Sequence, residues 1–409
     1  MGVILANFAI IEIVSKNLKL NLIFVLTIIC SMFLVSCGKK ERGLRPDEKS
    51  IDAQIEEIIE SEKELSDIEI NEYFNTLAKS FRKIYLTDSH NTLRHKKDVL
   101  ELLFHLKNNK LQYFNYKDKE KAGDVALDIL KTSIRKIRFM KKNEFDFSHM
   151  YQVNYYADAS VFLDKSYLKD YSKKLFSKVL NHISNPEGFF LYKQEDSSYP
   201  DMDDNSYALA TILKLYRVTL DIRYLEKASR LAEQIIDKLG GDQVNLDLVN
   251  SLLYLYNFTN DSYWLDTSRA LADLILDDKE DVYFNIQAAR YMNFLYYFLD
   301  EPKYRTFAEE VFERTIKDDI KYESFHDYNI LLLKRELERE PIYLKLLARD
   351  LDSKDAGRLL EEFLDYKTNF FLLNLKEGSS EAKAKVCINK QCSEYFTDDD
   401  DLEEYLSSI

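Results

Sequence analysis

The chain has 409 residues, 46% of them hydrophobic and 13% aromatic, enough to bury one large core or two to three smaller ones. Its formal charge is −14, and its Lys and Arg are interspersed with acids, so no phosphate-neutralising surface is expected and nucleic acid is not an expected partner. Only 9 Gly and 5 Pro leave few tight turns, and the abundance of Leu, Lys, Glu and Ala points to an all-α protein.

At the start, Lys16 and Lys19 precede the apolar run "LNLIFVLTIICSMFLVSC", which ends in Leu34-Val35-Ser36-Cys37. Charged, apolar and small residues in that order read as a secretory signal over 1–36. The final four residues resemble the lipobox of bacterial lipoproteins, in which the cysteine becomes the lipidated first residue, so Cys37 is the expected lipidation site. An uncleaved membrane anchor is the alternative, since residues 3–36 are apolar enough for one. Residues 37–50 then form a polar tether with a basic run, Lys39 to Arg45, beside the membrane. The expected location is the bacterial cell envelope, lipid-anchored on the periplasmic or surface side. The expected partners are that membrane and either a glycan ligand or an envelope protein.

From Ile51 onward apolar residues recur at three- and four-residue spacing. The candidate helices are 51–65, 68–86, 92–107, 119–140, 151–163, 168–184, 205–218, 222–238, 244–258, 262–277, 283–299, 302–318 and 322–337. Strand signals are absent until "TNFFLLNL" at 368–375. This divides the body into a helical part, 51–366, and a small C-terminal α+β unit, 367–409.

The later helices repeat. Leu215 to Ile236 aligns with Leu255 to Leu276 at an offset of 40, which sets Tyr216 on Tyr256, Asp221 on Asp261 and Ala232 on Ala272. Tyr296, Glu301, Tyr304 and Ala308 continue the series, and an earlier copy matches at Asp164 and Tyr167 with an offset of 57. Each copy reads as two helices joined at an acid, Asp221, Asp261 or Glu301, that caps the second helix. The Tyr or Trp after it, with a small Ala or Ser four residues on, faces the partner helix. A 40-residue period with aromatic-rich first helices fits a closed α/α toroid better than a tetratricopeptide array, whose period is about 34.

The tail "AKAKVCINKQCSEYFTDDDDLEEYL" resembles that of the bacterial YyaL and spermatogenesis-associated protein 20 family, with Val386, Cys387, Asn389 and Cys392 at the matching positions. Upstream, "RLLEEFLDYKTNFFLLNL" and "MDDNSYALATILKLYRVTLDIRYLEKA" look like further segments of that family, and the likeness covers roughly 150–409. The resemblance implies a six-hairpin glycosidase-like toroid, related to glycosidases and N-acylglucosamine 2-epimerases. The family's thioredoxin-like domain is missing, because no cysteine lies between Cys37 and Cys387. Its His-Phe-Glu-Lys-Met-type segment is also absent, and Asn205 and Ser206 are additional to its Asp-Asp-Tyr-Ala segment.

Within "DMDDNSYALA", Asp203 and Asp204 are the candidate catalytic pair, since adjacent carboxylates can serve as general acid and base or hold sugar hydroxyls. Tyr199, Asn205 and Tyr207 are the candidate substrate-binding residues. The competing reading is a helix start, with Asn205 or Ser206 as cap and the acids at the positive end of the helix dipole. A calcium loop fits poorly, with Ser206 in place of the turn glycine and Ile212 in place of the bidentate Glu. Cys387 and Cys392 are expected to form a disulfide in an oxidising compartment, since no His lies near for zinc. No metal or cofactor is expected. Two functions fit: a carbohydrate-binding or carbohydrate-processing toroid whose catalysis is lost or nearly lost, or a non-catalytic helical-repeat scaffold for envelope proteins.

Overall fold

A computed structural model describes residues 65–86, 96–107, 113–140, 145–185, 188–190, 201–238, 245–277, 285–322, 328–351, 353–366 and 368–409. Cys37, the expected signal and tether, residues 51–64 of the first candidate helix and Tyr199 lie outside them. Among the described residues, no helix is long and apolar enough to cross a membrane. Leu65–Ile409 form one compact unit.

Twelve helices of this unit make a ring. They are α1 (Asp67–Phe81, continued by a π turn over Arg82–Leu86), α2 (Lys96–Lys107), α3 (Tyr116–Arg138), α4 (Ser148–Phe162), α5 (Ser166–Ile183) and α6 (Met202–Thr219). They continue with α7 (Ile222–Lys238), α8 (Leu246–Thr259), α9 (Ser262–Asp277), α10 (Asn285–Leu299), α11 (Pro302–Tyr322) and α12 (Ile330–Glu338). Half of the candidate helix 322–337 falls in α12, which begins at Ile330, and its first residue, Tyr322, is the last of α11.

The even-numbered helices α2 to α12 form the inner layer, each in contact with the next, and each of α2 to α10 is paired with the helix after it. The ring closes with help from the opposite end of the unit. Helix α1 lies beside α11, where the Tyr73 hydroxyl donates to Asp319 at 2.6 Å and Phe74 stacks on Phe312. It also meets α12, with the Lys334 ammonium over the Phe74 ring, and reaches α3 through the Arg82–Asp118 ion pair at 2.7 Å. In the inner layer Arg335 of α12 approaches His105 of α2 at 3.4 Å. The sixth hairpin is thus assembled from α12 and α1, and the fold is an all-α toroid of six hairpins.

The hairpin turns repeat in backbone as well as in sequence. Asp164, Leu220, Asn260 and Asp300 all adopt left-handed φ between 51° and 58°, the conformation that ends a helix. This sets the earliest copy at an offset of 56, one less than the alignment of Asp164 with Asp221 gave. Asp221 and Asp261 cap as expected, accepting from the N–H two residues on at 3.1 and 3.0 Å. Glu301 differs. Pro302 follows it, and its longer side chain pairs with Arg269 at 2.7 Å and Lys303 at 3.3 Å. Ala228, Ser268 and Ala308 are fully buried, as the small-residue pattern requires.

After α12 comes β1 (Ile342–Ala348), then α13 (Lys354–Leu364), β2 (Phe371–Glu377), β3 (Lys383–Ile388), β4 (Gln391–Cys392) and α14 (Asp399–Ser408). The sheet order is β2-β1-β3-β4, with β1 parallel to β2 and antiparallel to β3. Strand β1 lies ahead of the boundary expected at 367. Cys387 and Cys392 face each other across β3 and β4 and are disulfide-bonded.

Candidate functional site

The inner helices surround a cavity of about 290 Å³. Counting back from the left-handed turns puts the lining of α4, α6, α8 and α10 into three tiers, because positions one period apart stand at one height. The upper tier is Tyr151, Tyr207, Asp247 and Gln287; the middle is Asn154, Ala210, Asn250 and Arg290; the lower is Asp158, Lys214, Tyr254 and Phe294. All but Tyr151 line the cavity, and Tyr151 packs on Tyr207 with ring centroids 4.3 Å apart. Helix α2 adds Phe104, and α12 with its preceding residue adds Glu336 and Asn329.

Two ion pairs join neighbouring inner helices along this space. The Lys214 ammonium donates to Asp158 at 2.5 Å and to Asn154 at 2.9 Å, and the Asn154 amide donates to Thr211 at 3.2 Å. Arg290 meets Glu336 with two parallel hydrogen bonds, 2.9 and 2.8 Å long. That fork geometry is the stronger form of a charged pair. Burial, with the acids Asp247 and Asp158 nearby, holds the Tyr207 phenol well above its ordinary pKa.

The floor belongs to the sheet unit. Arg217, one turn below Lys214, donates to the carbonyls of Leu364 at 3.1 and 3.0 Å, Tyr366 at 3.0 Å and Thr368 at 2.8 Å, and also to Asn369 Oδ1. Its guanidinium also lies over the Phe371 ring. Tyr254 donates to the Asn369 carbonyl at 2.7 Å, so Asn369 and Phe370 are held at the base of the cavity.

The residues singled out in "DMDDNSYALA" divide. Asp201 is the N-cap of α6 and accepts from the N–H groups of Asp203 and Asp204 at 2.8 and 3.0 Å, in place of the Asn205 or Ser206 cap that the sequence suggested. Neither Asp203 nor Asp204 lines the cavity, and Asp203 accepts from the Asn245 amide of the neighbouring hairpin at 2.6 Å. Asn205 is fully buried and holds the preceding loop, accepting from Phe190 N at 2.8 Å and donating to the Phe190 and Asp201 carbonyls at 3.0 and 2.7 Å. Its amide is occupied by these backbone groups. Tyr207 does line the cavity. Phe189 and Phe190 of the loop are buried in the core.

Sequence reasoning overlooked Asn154, Asp158, Lys214, Asn250, Arg290 and Glu336. For all but Glu336 a signal existed in the columns of the repeat, since reading down one position per period collects each tier in turn.

No protein-family model matches the chain. No curated protein matches it in sequence. Among solved structures it is similar to an alpha-1,6-mannanase from a Salegentibacter species at 14% identity, covering 65% of this chain and 98% of that one with a TM-score of 0.49. It is also similar to cellobiose 2-epimerase from Bacillus thermoamylovorans at 13% identity, covering 61% and 88% with a TM-score of 0.42. A D-mannose isomerase matches at 12% identity, over 54% and 74%, with a TM-score of 0.43. Likeness at this level carries no activity across to this chain.

Proposed function

We propose that the protein is an envelope lipoprotein, held to the membrane through Cys37, whose toroid binds carbohydrate in its central cavity and has lost catalysis. The observation that carries the binding reading is the lining, where rings of Phe104, Tyr155, Tyr207 and Tyr254 share one concavity with the amides of Asn250 and Gln287. Ring faces suit the C–H faces of a sugar and the amides suit its hydroxyls. Loss of catalysis at the pair expected from sequence is supported by Asp203 and Asp204 lying outside that lining. The tail around Cys387 and Cys392 supports kinship with the YyaL and spermatogenesis-associated protein 20 family. Anchoring rests on the signal and the Leu34 to Cys37 motif.

A glycan array probed with the full chain in detergent tests the reading. Capture of a defined set of glycans is expected, with Asn250→Ala weakening it. Asp203→Asn combined with Asp204→Asn should keep capture and lower stability by about 1 kcal/mol or less, the scale of a helix-dipole contribution. A silent array would leave the scaffold for envelope proteins as the better reading. Loss of capture in a folded double-Asn variant would return those acids to the site. Cys37→Ala should abolish lipid labelling, and persistent labelling would refute the anchor.

A further inference from the structure

The charged groups of the cavity meet its open space unequally. In the Lys214–Asp158 pair the lysine side chain is 32% exposed and the aspartate 8%. In the Arg290–Glu336 pair the values are 17% and 8%. All four residues line the cavity, so in both pairs the carboxylate is sunk among the helices while the cation faces the space a ligand would occupy. An ammonium has three donors. Two of those on Lys214 go to Asp158 and Asn154, which leaves one directed elsewhere. Arg217 adds a third cation at the floor, and the hydrogen bonds described above take it to carbonyls and an amide oxygen, with no carboxylate among them. The opposing acid, Asp247, belongs to the upper tier, two helical turns or about 10 Å above the tier of Lys214.

Taking the carbohydrate reading as its premise, we infer that the cavity selects a small anionic sugar, with its acidic group on the Lys214 ammonium and its hydroxyls towards Asn250 and Asp247. Arg290 is neutralised by Glu336, so Lys214 is the cation this inference relies on. A cavity of about 290 Å³ is at the small end of ligand pockets, roughly 300–1,000 Å³, which suits one or two sugar rings and not a longer chain. The anion could be a carboxylate or a sulfate, since both accept from an ammonium.

Calorimetric titration of the full chain in detergent with glucuronate, its neutral methyl ester, glucose and glucose 6-sulfate tests this. Glucuronate should bind about tenfold or more tighter than the ester, and that advantage should shrink as sodium chloride rises from about 50 to about 500 mM. Sulfate binding as tight as glucuronate would identify the anion in general as the determinant, and weaker sulfate binding would identify the carboxylate. Lys214→Met with Asp158→Asn removes both charges of the pair without stranding either, and should erase the advantage of the acid over the ester. Equal binding of acid and ester, or an advantage that survives in that double variant, overturns the inference and leaves the carbohydrate reading standing. If none of the four sugars binds and the glycan array is also silent, both fall together.

Discussion

In the helical ring, contacts recur. Ala228, Ser268 and Ala308 stand one period apart and occupy the same fully buried position on successive outer helices. In the sheet unit nothing recurs: β1 pairs with β2 through a helical crossover, and a few side chains, chiefly Arg217, Tyr254 and Asn257, tie the strands and their leading loop to the ring. A repeating interface spreads its stability over many equivalent contacts, whereas a docked unit concentrates it in a handful. The ring should yield gradually to substitution, and the sheet's attachment abruptly.

The sharpest way to break that contrast is Arg217→Met. It leaves the carbonyls of Leu364, Tyr366 and Thr368 without their shared donor, at a cost of about 1–3 kcal/mol for each buried group left unsatisfied. Urea denaturation should show that loss, and hydrogen exchange should find β2 deprotected before the ring. A loss under about 1 kcal/mol would mean that the attachment is as distributed as the ring's own contacts.

A smaller effect is expected within the ring from Ala308→Leu, which overfills a closely packed contact and should cost about 1–3 kcal/mol. Ala228→Leu should cost a similar amount if the periods are equivalent. Thermal unfolding of the two variants side by side would expose any inequality between hairpins.

The smallest effect concerns pH and belongs to the sheet unit. Burial, reinforced by Glu403, Asp365, Asp399 and Glu361, pushes the Glu362 carboxyl from 4.5 up to about 7. A carboxyl raised on folding favours the folded state while it is protonated. Its contribution is fully present below pH 4.5 and is lost as pH rises through about 7. Solvent screening of this partly exposed group keeps the effect below about 1 kcal/mol. Melting at pH 5 and pH 8 should show the wild-type chain losing stability at the higher pH, and Glu362→Gln should flatten that difference; an unchanged slope in the variant would remove Glu362 as the cause.

The ring was legible because its signal is periodic. Tyr216 over Tyr256 and Asp221 over Asp261 fixed the hairpins at a constant offset, and left-handed residues at Leu220 and Asn260 later matched the same count. The closing hairpin was not legible, since α1 and α12 come from opposite ends of the body and share no local pattern. Strand β1 was missed for a related reason. "IYLKLLA" is an apolar run buried between β2 and β3, and its partners are distant in sequence. At the site, Tyr207 was found by its place after the acids, whereas Lys214 and Arg290 looked like ordinary surface charges on helices. Only their tier sends them inward, and tier is a property of the columns of the repeat.

One amide of the ring has a consequence for the sheet's edges. Asn257 of α8 donates to the Phe371 carbonyl at 3.1 Å and accepts from Leu373 N at 2.6 Å, two of the groups of β2 that a further strand would use. At the opposite edge β4 is two residues long and is tied to β3 by the disulfide. An open strand edge is a template on which other chains can add and aggregate. Here a single side chain on a helix counterfeits the missing neighbour, so the sheet is shielded from such growth only while it remains docked on the ring.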